Sequence, residues 1–205
     1  MSGAYIEGSS FDNTQTHSSM MSWFIVITAS LFFFYEFIQM NMFNAISRPL
    51  MMAFNINAAC FGKMSSFYFI SNVIFLFPAG MLLDRCATRK VILVSLSICV
   101  LGTILLSFAN SFAWACFFRF LTGIGSAFCF LSVIRLSSRW FPAKRMALVT
   151  GAVVPMAMIG GMVAQTPMTY LVQDFGWRNA LLIDGALGVV ILAVIAAIVR
   201  DYPEG

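Results

Sequence analysis

The groups able to do ionic or acid–base chemistry are few, and they lie among apolar neighbours. Glu36 sits in FFFYEFIQM, Arg119 in FFRFL and Asp184 in LLIDGAL. Near a bilayer centre each such charge costs about 2.5–3.5 kcal/mol on insertion scales, so each needs a structural or functional reason. At about 100° per residue, Glu36, Met40, Asn44 and Ser47 share one helical stripe, and Arg119, Thr122, Gly123 and Ser126 share another. Two readings of the Glu36–Arg119 couple stay open. One is an ion pair tying two helices together. The other is the lining of a polar cavity, where Arg119 attracts an anionic group and Glu36 a cation or proton. An acid and a base at one depth also suit a zwitterion, which favours an amino acid over a sugar. Asp184 either snorkels outward, pairs with Arg178 or Lys63, or handles a proton or substrate. Tyr68, Asn72 and Gln165 either line a cavity or hydrogen-bond between helices.

Other chemistries lack the residues they need. Cys60, Cys86, Cys99, Cys116 and Cys129 are odd in number and form no C-x-x-C, so they read as small apolar fillers. His17, the one histidine, lies in a polar stretch. The fourteen methionines, Met40, Met42, Met51 and Met52 among them, read as flexible packing, since neither His nor paired Cys supports a copper route. No metal, cofactor or nucleic-acid partner is expected. G-x-S-x-G and H-E-x-x-H are absent, which argues against membrane serine and zinc proteases. There is no TVGYG filter or arginine ladder for a channel, and no trio of P-x-D-x-x-[KR] boxes for a six-span carrier of that type.

The elements that must hold these residues are membrane helices. Of 205 residues, 60% are hydrophobic, only 10% are charged, and 22 are Phe. A soluble domain has about half and about a quarter. A span takes about 20 mostly apolar residues, and six stretches qualify: 22–46, 58–83, 91–108, 112–137, 146–171 and 179–199. Strict alternation is missing, so a barrel does not fit. Residues 1–21 form a polar tail without Lys or Arg. The apolar run that follows is too long for a cleavable signal, so the first helix is expected to be retained. The domain reading is thus a tail (1–21), a six-helix bundle (22–200) and the start of a central loop (201–205).

Orientation follows from Lys and Arg. With the N-terminus in the cytoplasm, Arg85, Arg89, Lys90, Arg139, Lys144, Arg145 and Arg200 fall inside. Arg48, Lys63 and Arg178 fall outside, and Arg119 and Arg135 lie within span four. Seven against three places both termini in the cytoplasm. Pro142 and the Asp174-Phe-Gly-Trp-Arg178 turn punctuate the helices, and Trp140 and Trp177 suit the interface. Small residues in TGIGSA and IGGM are expected to allow close helix approach. Pro155 and Pro167 are expected to kink span five.

The string Gly80-Met-Leu-Leu-Asp84-Arg85-Cys86-Ala87-Thr88-Arg89-Lys90 links spans two and three. As physics it is a membrane-border turn: a carboxylate that caps the turn or pairs with a nearby Arg, followed by cations. As a pattern, G-x-x-x-D-R-x-x-x-R-K resembles the signature loop of the major facilitator superfamily. Ala87 departs from it, since the family usually has Gly there, and this predicts a strained or altered turn. Arg119, Gly123 and Gly125 match a second motif, R-x-x-x-G-x-G, which resembles that family's fourth helix. RWFPAKRMALVTG and FGWRNALL are also similar to stretches common in these transporters. FFFYEFIQMNMFNAI, FNINAACFGKMSSFYFISN and GGMVAQTPMTYLV resemble a bacterial nutrient-uptake branch that includes phagosomal amino-acid transporters.

The resemblance implies an all-α integral membrane protein: six helices forming one half of a major facilitator transporter, itself an inverted three-plus-three repeat. In that family helices one and four flank the cavity, and the fourth-helix Arg is linked to proton coupling. The chain is thus expected to be a non-enzymatic, proton-coupled symporter half in a bacterial inner membrane. The implied substrate pathway is Glu36, Arg119, Asn44, Tyr68, Gln165 and Asp184. Its partners would be lipid, a small polar metabolite, and a complementary six-helix half. The alternatives are a homodimer of this half, and a non-transporting subunit or truncated inactive product.

Overall fold

Long apolar runs bounded by turn and capping residues build the whole architecture. The computed structural model describes residues 19–201; most of the polar tail, including His17, and residues 202–205 lie outside it. The helices are α1 (Ser19–Phe54), α2 (Ala58–Arg85), α3 (Thr88–Ser107), α4 (Phe112–Ala127), α5 (Cys129–Trp140) and α6 (Met146–Ile198), with a 3-10 turn at Ala143–Arg145. Asn55 takes the left-handed conformation (φ 50°) between α1 and α2, which Asn tolerates better than most residues. The Asn57 side chain then caps α2 by accepting from the Cys60 N–H at 2.9 Å, satisfying an orphan donor of the first turn. Ser111 caps α4 in the same way through Trp114.

Five helical segments among the described residues are long and apolar enough to cross a membrane. Two depart from the simple pattern. α4 and α5 are separated only at Phe128 and together form one such segment, Phe112–Trp140. α6 has 53 residues, about 80 Å at 1.5 Å per residue, against a hydrocarbon core of about 30 Å. The chain stays helical through Pro155 and Pro167. Its non-helical point is Gly176 (φ 80°, ψ 160°), inside the turn expected from DFGWR.

Packing shows what that glycine does. Val149 and Val153 from early α6 share a hydrophobic cluster with Ile191 and Ile195 from its end, together with Ile25, Val26 and Leu136. Ala164, Met168 and Val172 share a second cluster with Trp177, Ala180 and Leu181 from just past the break. The two arms of α6 therefore lie side by side and run in opposite directions. Outside, the bundle is as greasy as within: Val73, Phe77 and Met162 are each at least 70% exposed, which suits lipid rather than water.

Small residues set the helix spacing. A Cβ on Gly123 would collide with Ser71 and the Tyr68 carbonyl of α2. One on Gly125 would meet the Ser95 carbonyl and Cys99 of α3, and one on Gly160 the Phe34 carbonyl of α1. The glycines of the fourth-helix motif thus seat α4 against both α2 and α3, the close approach that small residues permit in membranes.

The conformation at Gly176 belongs to a region nearly closed to other residues, with a cost of about 1–3 kcal/mol. Gly176→Val should lower stability by about that amount in thermal unfolding of the purified protein. Gly151→Ala, in helical geometry with open space around it, should be neutral or slightly stabilising.

Candidate functional site

Tyr68 stands at the centre of the polar interior. Its hydroxyl donates to Glu36 Oε1 at 2.8 Å and lies 2.6 Å from Ser126 Oγ. Ser126 Oγ donates to the same Glu36 oxygen at 2.9 Å, and Asn72 Nδ2 donates to Ser126 at 3.1 Å. The other side of the site is Arg119, fully buried. Its guanidinium carbon lies 3.9 Å from the Phe43 ring centre and 4.3 Å from that of Tyr68. The guanidinium thus lies over two aromatic faces, each such contact being worth about 2 kcal/mol when desolvated. Nη2 donates to the Gln39 carbonyl at 2.8 Å, whereas Nε and Nη1 have no hydrogen-bond partner among the described residues.

Glu36 and Arg119 therefore meet at one level without a direct ion pair among the described residues. Tyr68 joins them, giving its hydroxyl to the acid and its ring to the base. Of the two readings of this couple, the structure does not contain the helix-tying pair.

Asp184 is also buried, and its partner differs from those expected. Its Oδ2 accepts from Gln39 Nε2 at 2.5 Å, and Gln39 Oε1 accepts from Thr103 Oγ1 at 2.8 Å. It neither snorkels nor pairs with Arg178 or Lys63. Arg178 instead donates to the Ala109 carbonyl at 3.0 Å and lies over the Trp177 ring. The reason is geometric: after the reversal at Gly176, Asp184 comes down beside α1 and α3, where the Gln39 amide offers a donor. Asp184 also borders a cavity of about 60 Å³ together with Pro167 and Met168. Gln39 and Thr103 were missed in the sequence; their signal was an amide and a hydroxyl within apolar runs. Gln39 uses its carbonyl for Arg119 and its side chain for Thr103 and Asp184. The polar interior thus draws on α1, α2, α3, α4 and the second arm of α6.

Asn44 and Gln165 lie apart from this cluster, both exposed on the bundle surface. The signature-loop residues are further away still, at the basic end. Gly80 has open space around it. Asp84 pairs with Arg135 of α5 rather than capping its own turn, an exposed contact of small energetic weight. Ala87 is extended (φ −60°, ψ 124°), so this turn needs no glycine and carries no strain there. Arg85 and Lys90 are exposed. Arg89 points inward: Nη2 donates to the Ala196 carbonyl at 2.6 Å, in the last turn of α6, where carbonyls lack helical partners and a cation is favoured. Asp201 completes this end by accepting from the Arg89 N–H at 2.8 Å and from Arg139 at 3.2 Å. Among the described residues no group of three or more His, Cys, Asp or Glu side chains is placed to hold a metal.

The Major Facilitator Superfamily model matches residues 20–205. A probable sulfoacetate transporter of Cupriavidus necator is 27% identical over 125 residues, 61% of this chain and 29% of that protein. A probable galactarate/D-glucarate transporter of Escherichia coli is 27% identical over 159 residues, 73% of this chain and 36% of that protein. Among solved structures, a bacterial homolog to the human lysosomal transporter Spinster, inward-facing and occupied, matches with a TM-score of 0.79 at 21% identity, over 89% of this chain and 45% of that one. The chain spans less than half the length of each.

Gln39→Leu strands the buried Asp184 carboxyl and removes the Thr103 contact. A buried polar group left unpaired costs about 1–3 kcal/mol, and equilibrium unfolding should show a loss in that range. Adding Asp184→Leu should recover part of it, since removing both partners is far milder. A strictly additive double mutant would show that the two side chains are not coupled.

Proposed function

The chain belongs to the major facilitator superfamily, and from that premise we propose that it is the N-terminal half of a proton-coupled secondary transporter for a small organic anion. Taking the arms of α6 separately and α4–α5 as one crossing gives six spans, arranged as an inverted three-plus-three repeat. The basic loops place both termini in the cytoplasm, and the family resemblance favours a bacterial inner membrane. The opposing wall would come from a complementary six-helix half or a second copy of this one.

The observation that carries the substrate reading is Arg119: a buried guanidinium, pre-positioned by two aromatic rings, with two of its nitrogens, Nε and Nη1, unbonded among the described residues. Guanidinium forks match carboxylates and their analogues. The names of the two relatives point the same way, since sulfoacetate and galactarate carry carboxylate or sulfonate groups. An amino acid is the second reading, favoured by Glu36 lying at the same level. It requires Glu36 to release Tyr68 and Ser126 in order to hold an ammonium group. Glu36 is the proposed proton carrier, with Tyr68, Ser126 and Arg119 as the groups facing it.

The test is uptake of labelled organic acids and amino acids in vesicles holding this chain and a matching half. Arg119→Ala should reduce anion uptake by roughly 10–100-fold, the weight of lost charged hydrogen bonds, and Arg119→Lys should not restore it, for want of the planar fork. Glu36→Gln should accumulate normally in the membrane yet flatten the pH profile of uptake. Unchanged uptake by Arg119→Ala would reduce that residue to a packing role.

A further inference from the structure

Between α2 and α3, at the basic end of the bundle, lies a groove of about 290 Å³. It exists because α2 packs mainly on α4 and α3 on α4 and α6, while α2 and α3 touch one another little. Its walls are Leu82 of α2 and Val94 of α3, 44% and 60% exposed, and its floor is Val91 and Phe128, both buried. The one hydroxyl on the floor, Ser95, is satisfied by the Val91 carbonyl of its own helix. From Lys90 to Ile98 the groove runs about 12 Å along α3. The surface is thus apolar along its length with a single cation at its mouth.

That cation is uncommitted. Lys90 borders the groove, is exposed, and has no ion-pair or hydrogen-bond partner among the described residues. The acids nearby are already taken: Asp84 by Arg135, and Asp201 by Arg89 and Arg139. Asp84 is also two positions from both Leu82 and Cys86, about 200° round the helix, so it lies across α2 from the groove.

We infer that this groove is a binding site for one anionic phospholipid, its acyl chain along Leu82, Val94 and Phe128 and its phosphate on Lys90. Charge complementarity selects this occupant. A zwitterionic headgroup brings its own cation to compete with Lys90 for the phosphate, whereas an anionic headgroup offers an uncompensated charge beside a tail in the slot. A basic residue at an anionic surface favours binding by roughly fivefold. The inference rests on the fold alone and is independent of what the protein transports.

Native mass spectrometry of the purified full chain, equilibrated with phosphatidylglycerol and phosphatidylcholine of identical acyl chains, tests it. Retained phosphatidylglycerol should exceed phosphatidylcholine by roughly fivefold. Lys90→Ala should bring the two near parity, and Val94→Trp, at an exposed position where folding is not at stake, should reduce retention of both. A headgroup preference untouched by Lys90→Ala overturns the proposal. So does full lipid retention by Val94→Trp, or a Val94→Trp effect on oligomeric state rather than on lipid, which would make the groove a protein interface.

Discussion

A guanidinium held away from water and lipid is the constraint around which this bundle is organised. Arg119 cannot shed its charge cheaply, and hydrocarbon gives it nothing. Its surroundings are accordingly specific: two aromatic rings and one carbonyl. Each comes from a different place on α1 or α2, so satisfying one side chain of α4 fixes three helices against each other. The nearby acids are held by neutral donors, Glu36 by Tyr68 and Ser126, Asp184 by Gln39. Neither carboxylate forms a direct ion pair with the arginine among the described residues, and its Nε and Nη1 remain for another partner.

Such a polar interior requires helices that approach closely. Interhelical hydrogen bonds in membranes are individually modest, about 0.6 kcal/mol on average, so they depend on packing that brings donors to their acceptors. Gly123 provides this at the Tyr68 level, where any larger residue would push α2, and with it the Tyr68 hydroxyl, away from α4. Packing and polarity are therefore one design here. The motif glycine matters to the chemistry because of what it lets its neighbours reach.

The basic end works differently. There Arg89 reaches the last turn of α6, and Asp201 ties α3 to α5. The contacts are partly solvated and individually weak. Their effect is to gather three helix ends at one point and to leave Lys90 and Arg85 facing outward. In the proposed transporter this end meets the cytoplasmic leaflet, where a ring of cations is also the signal that orients the chain.

Composition alone determined that this is a helical membrane protein. Long apolar runs admit no other satisfied backbone, and 10% charge cannot cover a soluble surface. The stripes through Glu36 and Arg119 were legible for a similar reason: a charge within a greasy helix must face protein, and helical periodicity says which neighbours share that face. Turn residues could also mark the DFGWR segment, though only the fold showed helix continuing to either side of Gly176. What the sequence could not decide was pairing. Glu36 and Arg119 look like natural partners by charge and depth, yet Tyr68 came between them. Asp184 found Gln39, 145 residues away, and Asn44 and Gln165 are exposed in this chain rather than bonded into that cluster. Along a helix, residue spacing sets the face; across helices, the rotation and offset of each rod set the contact, and those follow from how all the side chains, glycines foremost, pack at once.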